Sequence, residues 1–371
     1  MQAKNHRISL PDTAIGATLT SYHFGTPGSG KKVYIQASLH ADEVPGMLVA
    51  QSLRSALTAL EPHITGEIIL VPSANPLGLA QAIHGAPFGR YDLTTGINFN
   101  RAYKHVADDL KTSLAGKLGP DQAINVALVR HAARASVAQW SPTTDADALK
   151  KILLELAIDA DIVLDLHCDN EAVLHIYTGT PLADAIAPLS ALLGARALLL
   201  ALEAGGEPFD EACSRLWWDL AKHFGPDLPI PADGCLSTTV ELRGERDVSY
   251  ALAEQDAQAL LQFLGHVGVL DVPLLPLPAP QCVATPLEGV EPVAAPHAGI
   301  IVFLRQLGET VAAGDAIADL IEPVSGNKTT LRASVAGVLF ARTAHRHLLR
   351  GMAVCKIAGA QAYRAGNLLS Q

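Results

Sequence analysis

Long apolar runs are missing from this chain: no stretch of the roughly 18 residues that a membrane-spanning helix needs is both uncharged and continuously apolar, since the uncharged run Ile68 to Gly89 is broken by Pro, Gly, Asn and Gln, so no transmembrane segment is expected. Met1 to Pro11 is polar and charged and lacks the apolar centre of a secretory signal. Clustered positive charge is missing too. With 27 Lys and Arg against 37 Asp and Glu, a net charge of -10 and no basic run, neither nucleic acid nor an anionic membrane is an expected partner. Cysteine is scarce and scattered. The five thiols, Cys168, Cys213, Cys235, Cys282 and Cys355, show no CxxC spacing and are odd in number, which excludes a disulfide framework and a Cys-ligated zinc and favours the cytoplasm. Charged residues make up only 17% and hydrophobic ones 49%, a balance that argues for a folded protein and against disorder. For 371 residues, one large domain and one small one are expected.

Three short apolar runs read as buried strands: Val33 to Leu39, Glu67 to Pro72 and Ile162 to Leu166. Helical spacing marks Gly46 to Leu60, and again Asp147 to Ala157 with Leu149, Ile152, Leu153 and Leu156. Alternation of strands and helices predicts an α/β domain over residues 1–272, a sheet flanked by helices with its ligand site at the carboxyl ends of the strands. Residues 102–146, polar and Ala-rich, read as a helical insertion placed near the site entrance. Pro273, Pro276, Pro278 and Pro280 then form a stiff linker. Beyond it, short apolar runs alternate with Gly turns, which predicts a small all-β barrel or sandwich over 281–371.

The strand ending at Leu39 runs directly into His40-Ala41-Asp42-Glu43, and the strand from Ile162 ends in Asp165-Leu166-His167. His40, Glu43 and His167 together make a three-ligand set that leaves the fourth position of a tetrahedral zinc for water. Asp165 and His167 lie two apart on one strand and project together, so Asp165 can orient a ligand imidazole. Zinc, one per chain, is therefore the expected cofactor. A metal ion lowers the pKa of a bound water toward ~7, and that water needs a proton acceptor. Glu241, in the strand-like run Thr238 to Arg243 where an inward-pointing carboxylate would be costly without a task or a partner, is the candidate. In Asn98-Phe99-Asn100-Arg101 the amide and guanidinium groups can clamp a carboxylate, and Arg90 can polarise a scissile carbonyl.

His40-Ala41-Asp42-Glu43, Asn75-Pro76-Leu77-Gly78, Asn98-Phe99-Asn100-Arg101, Asp165-Leu166-His167 and Val240-Glu241-Leu242 occur in that order over about the first 270 residues. This ordered set resembles the succinylglutamate desuccinylase and aspartoacylase family, relatives of the zinc carboxypeptidases. The resemblance implies a carboxypeptidase-like mixed sheet, with His40, Glu43 and His167 as zinc ligands. It makes Glu241 the general base that later protonates the leaving amine, Asn100 and Arg101 the substrate carboxylate clamp, and Arg90 the group that polarises the acyl carbonyl. Two positions depart from the family pattern. Asn98 stands where many relatives carry an Asp that supports a ligand His, and Arg243 intervenes before Gly244, either as a further substrate contact or facing solvent.

The expected activity is zinc-dependent removal of an acyl group from an N-acyl amino acid or a similar small carboxylate-bearing amide. A carboxypeptidase acting on peptides, and a non-catalytic metal-binding or acyl-carrier protein, are the alternatives. The sequence leaves the acyl group open and allows a homo-oligomer. His345 and His347 are expected on a surface turn, His175 in a strand, Cys168 and Trp217-Trp218 in the core, and Lys328 as an ordinary loop lysine rather than a carrier's modified residue.

Overall fold

The computed structural model describes residues 1–8 and 16–368, so the last three residues of the expected C-terminal domain lie outside the described residues. In chain order the strands up to the linker are β1 (Gln2–Ile8), β2 (Ala17–Gly25), β3 (Lys32–Ala37), β4 (Glu67–Val71), β5 (Ala82–Ile83), β6 (Ala86–Pro87), β7 (Ile162–Asp169), β8 (Glu171–Ala172), β9 (His175–Gly179), β10 (Ala197–Ala201) and β11 (Leu236–Gly244). The helices are α1 (Pro45–Ala59), α2 (Pro76–Leu79), α3 (Ala107–Leu114), α4 (Gln122–Ala138), α5 (Asp145–Ala157), α6 (Ala183–Leu193), α7 (Phe209–Phe224) and α8 (Tyr250–His266). With β12 (Ala284–Pro286), nine strands pair in the order β1-β2-β4-β3-β7-β11-β9-β10-β12. The sheet is mixed, as expected. Its centre, β3, β7 and β11, is parallel, whereas β9 runs antiparallel to β11 and β2 antiparallel to β4.

Period-two alternation assigns each face of this sheet to one helical layer. Val33, Ile35, Ile162, Leu164 and Leu166 pack with Val49, Leu53 and Leu57 of α1 and Leu260 and Phe263 of α8. Each fully buried Leu or Phe of such a layer contributes about 1.5–3 kcal/mol. On the opposite face, Tyr34 and Val163 meet Leu149 and Leu153 of α5 and Leu216 and Trp217 of α7. Asp165 and His167 continue the row that Val163 starts, so they leave the sheet on the α5–α7 side.

Segment 102–146 touches a surface cleft through its first residue, Ala102, and then packs inward. Its helices α3 and α4 supply Leu110, Val129, Ala133 and Val137 to the α5–α7 core, and Tyr103 packs edge-on to Phe209 at 5.2 Å. The Ala-rich composition suits close helix packing, and Asp121 caps α4 by accepting from the Ile124 N–H.

Beyond the linker, which carries no regular structure over 271–280, the strands are β13 (Val290–Ala294), β14 (Gly299–Phe303), β15 (Thr310–Val311), β16 (Ala316–Ile321), β17 (Lys328–Arg332), β18 (Gly337–Arg342), β19 (His347–Leu348) and β20 (Ala353–Gly359). They form two antiparallel sheets, β13-β20-β18-β15 and β17-β16-β14-β19. Ile301, Ile317, Leu320, Leu339, Val354 and Ile357 fill the space between them. The two parts of the chain exchange strands: β12 extends the large sheet along β10, and β8 joins β18. Lys328 opens β17 and pairs with Asp319 at 3.1 Å, so it sits in a strand rather than on a hairpin tip.

Candidate metal centre

Because β3, β7 and β11 are parallel, their carboxyl ends share one edge of the sheet. There the backbone of Ser38 turns into the left-handed region (φ 63°), a conformation that costs a non-Gly residue about 1–3 kcal/mol. The turn carries the chain out of β3 and brings His40 over the edge. Neighbours hold it in place. Asn75 donates to Leu39 O at 2.8 Å and accepts from Gly78 N–H at 2.8 Å, and Ala41 N–H bonds Gly89 O at 3.0 Å. A Cβ on Gly89 would lie 2.4 Å from Asp42 N, so only glycine permits this approach.

His40, Glu43 and His167 are all buried and offer ligand atoms within 4.8 Å of one another. Glu43 lies between the imidazoles. Its Oε1 is 2.8 Å from His40 Nδ1, and its Oε2 is 2.8 Å from His167 Nδ1 and accepts from Cys168 N–H at 3.1 Å. Each outer ring nitrogen faces an oxygen. His40 Nε2 lies 2.8 Å from Asn98 Oδ1, which also accepts from Asn100 N–H at 2.8 Å, and His167 Nε2 lies 3.0 Å from Asp165 Oδ2.

These contacts decide the proton positions. Asn100 N–H can only donate, so the Asn98 atom facing His40 is the carbonyl oxygen, and His40 must carry its proton on Nε2. Arg90 Nη1, also only a donor, sits 3.2 Å from both His40 Nδ1 and Glu43 Oε1. With Nε2 committed to Asn98, Nδ1 is the nitrogen that turns to Glu43, 2.8 Å from its oxygen, as a shared proton or a shared cation would hold them. Two nitrogens and a carboxylate, with the outer nitrogens held by oxygens, are the donor set of an open zinc site. The residues present fit the ion.

The structure brings the other expected residues to the same edge, with one exception. Glu241 stands opposite His167 in the register of β11 and β7, while Val240 and Leu242 turn to the α1–α8 layer. Its Oε2 has no hydrogen-bond partner. Burial first, and the Glu43 charge second, push the Glu241 carboxyl up to about 8; a divalent cation nearby acts in the opposite direction. Arg90 donates to Glu43 Oε1 at 3.2 Å. Asn100 accepts from Phe209 N–H at 2.9 Å, which commits its oxygen and leaves the amide NH2 to face a ligand. Arg101 lines a cleft of about 530 Å³ with Tyr91, Asn98, Gly206 and Asn367. Burial, then the neighbouring Arg90 charge, lower the Arg101 guanidinium from its usual value. The nearby Asp210 and Glu211 carboxylates act on it in the opposite direction.

Arg243 is the exception. Alternation would aim it with Glu241, but the β-bulge after Glu241 and a φ of 68° at Arg243 break the period. Its guanidinium bonds the buried Asp256 of α8 instead, so the expected substrate contact is not formed. Arg243→Met should leave KM within about twofold and cost about 3–5 kcal/mol of stability, because it strands a buried carboxylate. Thermal unfolding and steady-state kinetics read the two effects separately, and a large rise in KM would restore Arg243 to the substrate.

His345 is exposed, His175 is a buried strand residue bonded to Val173 O, and Trp217 is core, as expected, whereas His347 is exposed in β19 rather than on a turn and Trp218 packs half-buried against the other core layer. One residue was missed. Lys356 of β20 reaches across from the C-terminal sheets to Asp169 at 2.6 Å, two residues past His167. A lone cation within the apolar run Ala353–Gly359 was the available signal, of the same kind that marked Glu241. Arg342 and Arg346 add ion pairs to Glu171 at 2.7 and 2.6 Å, so the C-terminal sheets grip the segment that follows His167.

Residues 29–206 match the family model for the succinylglutamate desuccinylase/aspartoacylase catalytic domain. Among solved structures, a succinylglutamate desuccinylase/aspartoacylase family protein from Shewanella amazonensis SB2B is similar at 28% identity and a TM-score of 0.83, over 96% of this chain and 98% of that one. A second, from Shewanella frigidimarina NCIMB 400, gives 26% identity and a TM-score of 0.81, over 96% and 97%. The ectoine utilization protein EutE (DoeB) of Ruegeria pomeroyi shares the fold at 17% identity and a TM-score of 0.67, over 96% and 93%. No curated protein matches the chain. Among the described residues no helix is long and apolar enough to cross a membrane. Residues 29–206 thus carry the catalytic domain of the succinylglutamate desuccinylase/aspartoacylase family.

Proposed function

We propose that this chain is a zinc-dependent hydrolase that removes the acyl group from an N-acyl amino acid or a similar small carboxylate-bearing amide. The observation that carries the reading is the convergence of His40, Glu43 and His167 on one focus, with Glu241 opposite His167 and Arg90 alongside. When bound, zinc supplies Lewis acidity, lowering the pKa of water and polarising the carbonyl. Glu241 takes the proton of the attacking water and delivers it to the departing nitrogen. Arg90 donates to the oxygen that gains charge as the carbonyl becomes tetrahedral. Asn100 and Arg101 hold the substrate carboxylate at the cleft wall. The five free thiols support a cytoplasmic setting.

Zinc-loaded protein should release free amine from a panel of N-acetyl, N-succinyl and N-formyl amino acids, and preference for peptides with free C-termini would favour a carboxypeptidase. Arg101→Ala should raise KM for the preferred acid about 10- to 100-fold, the value of a charge-assisted hydrogen-bond pair. The matching N-acyl amino amide, which lacks the carboxylate, should show little change between the two proteins. An equal loss on both substrates would remove Arg101 from the carboxylate.

A further inference from the structure

A string of buried polar side chains runs beneath His167, on the side away from the cleft. Tyr34 and Gln36 lie two apart on β3 and face the same side of the sheet as Asp165, and Gln36 stands opposite Asp165 in the register of β3 and β7. Tyr34 Oη donates to Gln36 Oε1 at 2.8 Å, and Gln36 Nε2 donates to Asp165 Oδ1 at 2.9 Å. The other carboxylate oxygen, Oδ2, lies 3.0 Å from His167 Nε2 as an ion-pair contact whose angles fall short of a hydrogen bond, and both atoms are buried without a hydrogen-bond partner. Tyr34, Gln36 and Asp165 are each 0% exposed, so water cannot substitute for any of these contacts.

Every bond in the string has one allowed direction. A carboxylate only accepts, so the amide must turn its NH2 toward Asp165 and its oxygen toward Tyr34, and the phenol must donate. Burial, then the Asp165 charge, hold the Tyr34 phenol well above its usual range, which keeps that proton in place. With Oδ1 fixed by Gln36, the carboxylate plane cannot rotate away from His167.

We propose that Tyr34 and Gln36 are positioning residues that lock Asp165 so that His167 keeps its proton on Nε2 and presents Nδ1 to the metal ion. This rests on the metal reading of His40, Glu43 and His167. The two imidazoles are then supported unequally. Behind His167 stands a carboxylate braced by two further side chains, and behind His40 a neutral amide braced by one backbone N–H.

The test is zinc affinity, read by competition with a chromophoric chelator, together with ¹⁵N NMR of the histidine rings. Partners that orient a metal ligand typically contribute 10- to 100-fold in affinity, so Gln36→Leu should weaken zinc binding about tenfold and mix the His167 tautomers. That change leaves Asp165 Oδ1 stranded in the core and can unfold the chain, so Tyr34→Phe, which removes one hydroxyl, is the decisive variant. It should bind zinc about threefold more weakly while its metal-free Tm stays close to that of the unaltered protein. Wild-type zinc affinity and an unchanged His167 signal in folded Tyr34→Phe overturn the relay alone. An unaltered chain that takes up no zinc overturns it together with the reading on which it rests.

Discussion

Glu241→Gln should bind one zinc as the unaltered protein does and lose about 10²- to 10⁴-fold in kcat, the usual value of a positioned general base. The amide is nearly isosteric with the carboxylate but cannot take the water's proton or return it to the leaving nitrogen. Glu241 Oε2 has no partner to lose, so the exchange breaks no hydrogen bond at that atom. Metal content by mass spectrometry and amine release by a fluorogenic assay separate the two readouts. If Glu241→Gln turned over normally, the general base would have to be sought elsewhere; if it lost zinc, Glu241 would be acting on the metal site itself.

His167→Ala should have the larger effect on zinc. Removing a partner behind a ligand weakens binding 10- to 100-fold, and removing the ligand itself should exceed about 100-fold. Activity should fall to background with it. Zinc stability linkage gives an independent reading, because a ligand at 100 times its Kd stabilises the fold by about 2.7 kcal/mol. The unaltered protein should therefore show a zinc-dependent rise in Tm that His167→Ala lacks. A full Tm rise in the variant would mean that the ion binds somewhere else.

Much of this site is legible in the sequence because it is local. His40 and Glu43 follow one apolar strand, Asp165 and His167 share a face by strand alternation, and Glu241 stands out as a carboxylate inside a strand-like run. Departures from alternation were not legible. At Arg243 a bulge and a left-handed residue turned the side chain to α8, and neither shows in residue type, since Arg has no preference for positive φ. Residues 102–146 were legible as helical but not in their packing, because an Ala-rich helix packs as well on a core as beside a cleft. Lys356 and Asp169 meet across 187 residues, and Gln36 and Asp165 across 129, so those pairings are properties of the folded sheets. Asn98 was legible as an oddity only. The structure shows how it serves, by an amide oxygen that a backbone N–H orients toward His40.

The central claim is that His40, Glu43 and His167 hold one zinc that amide hydrolysis requires. Titrating metal-free protein with zinc while measuring amine release from the preferred N-acyl amino acid tests it most directly. The rate should rise in proportion to added zinc and break sharply at one equivalent per chain. Amine release that is independent of zinc, or none from any N-acyl amino acid at one bound equivalent, would contradict it.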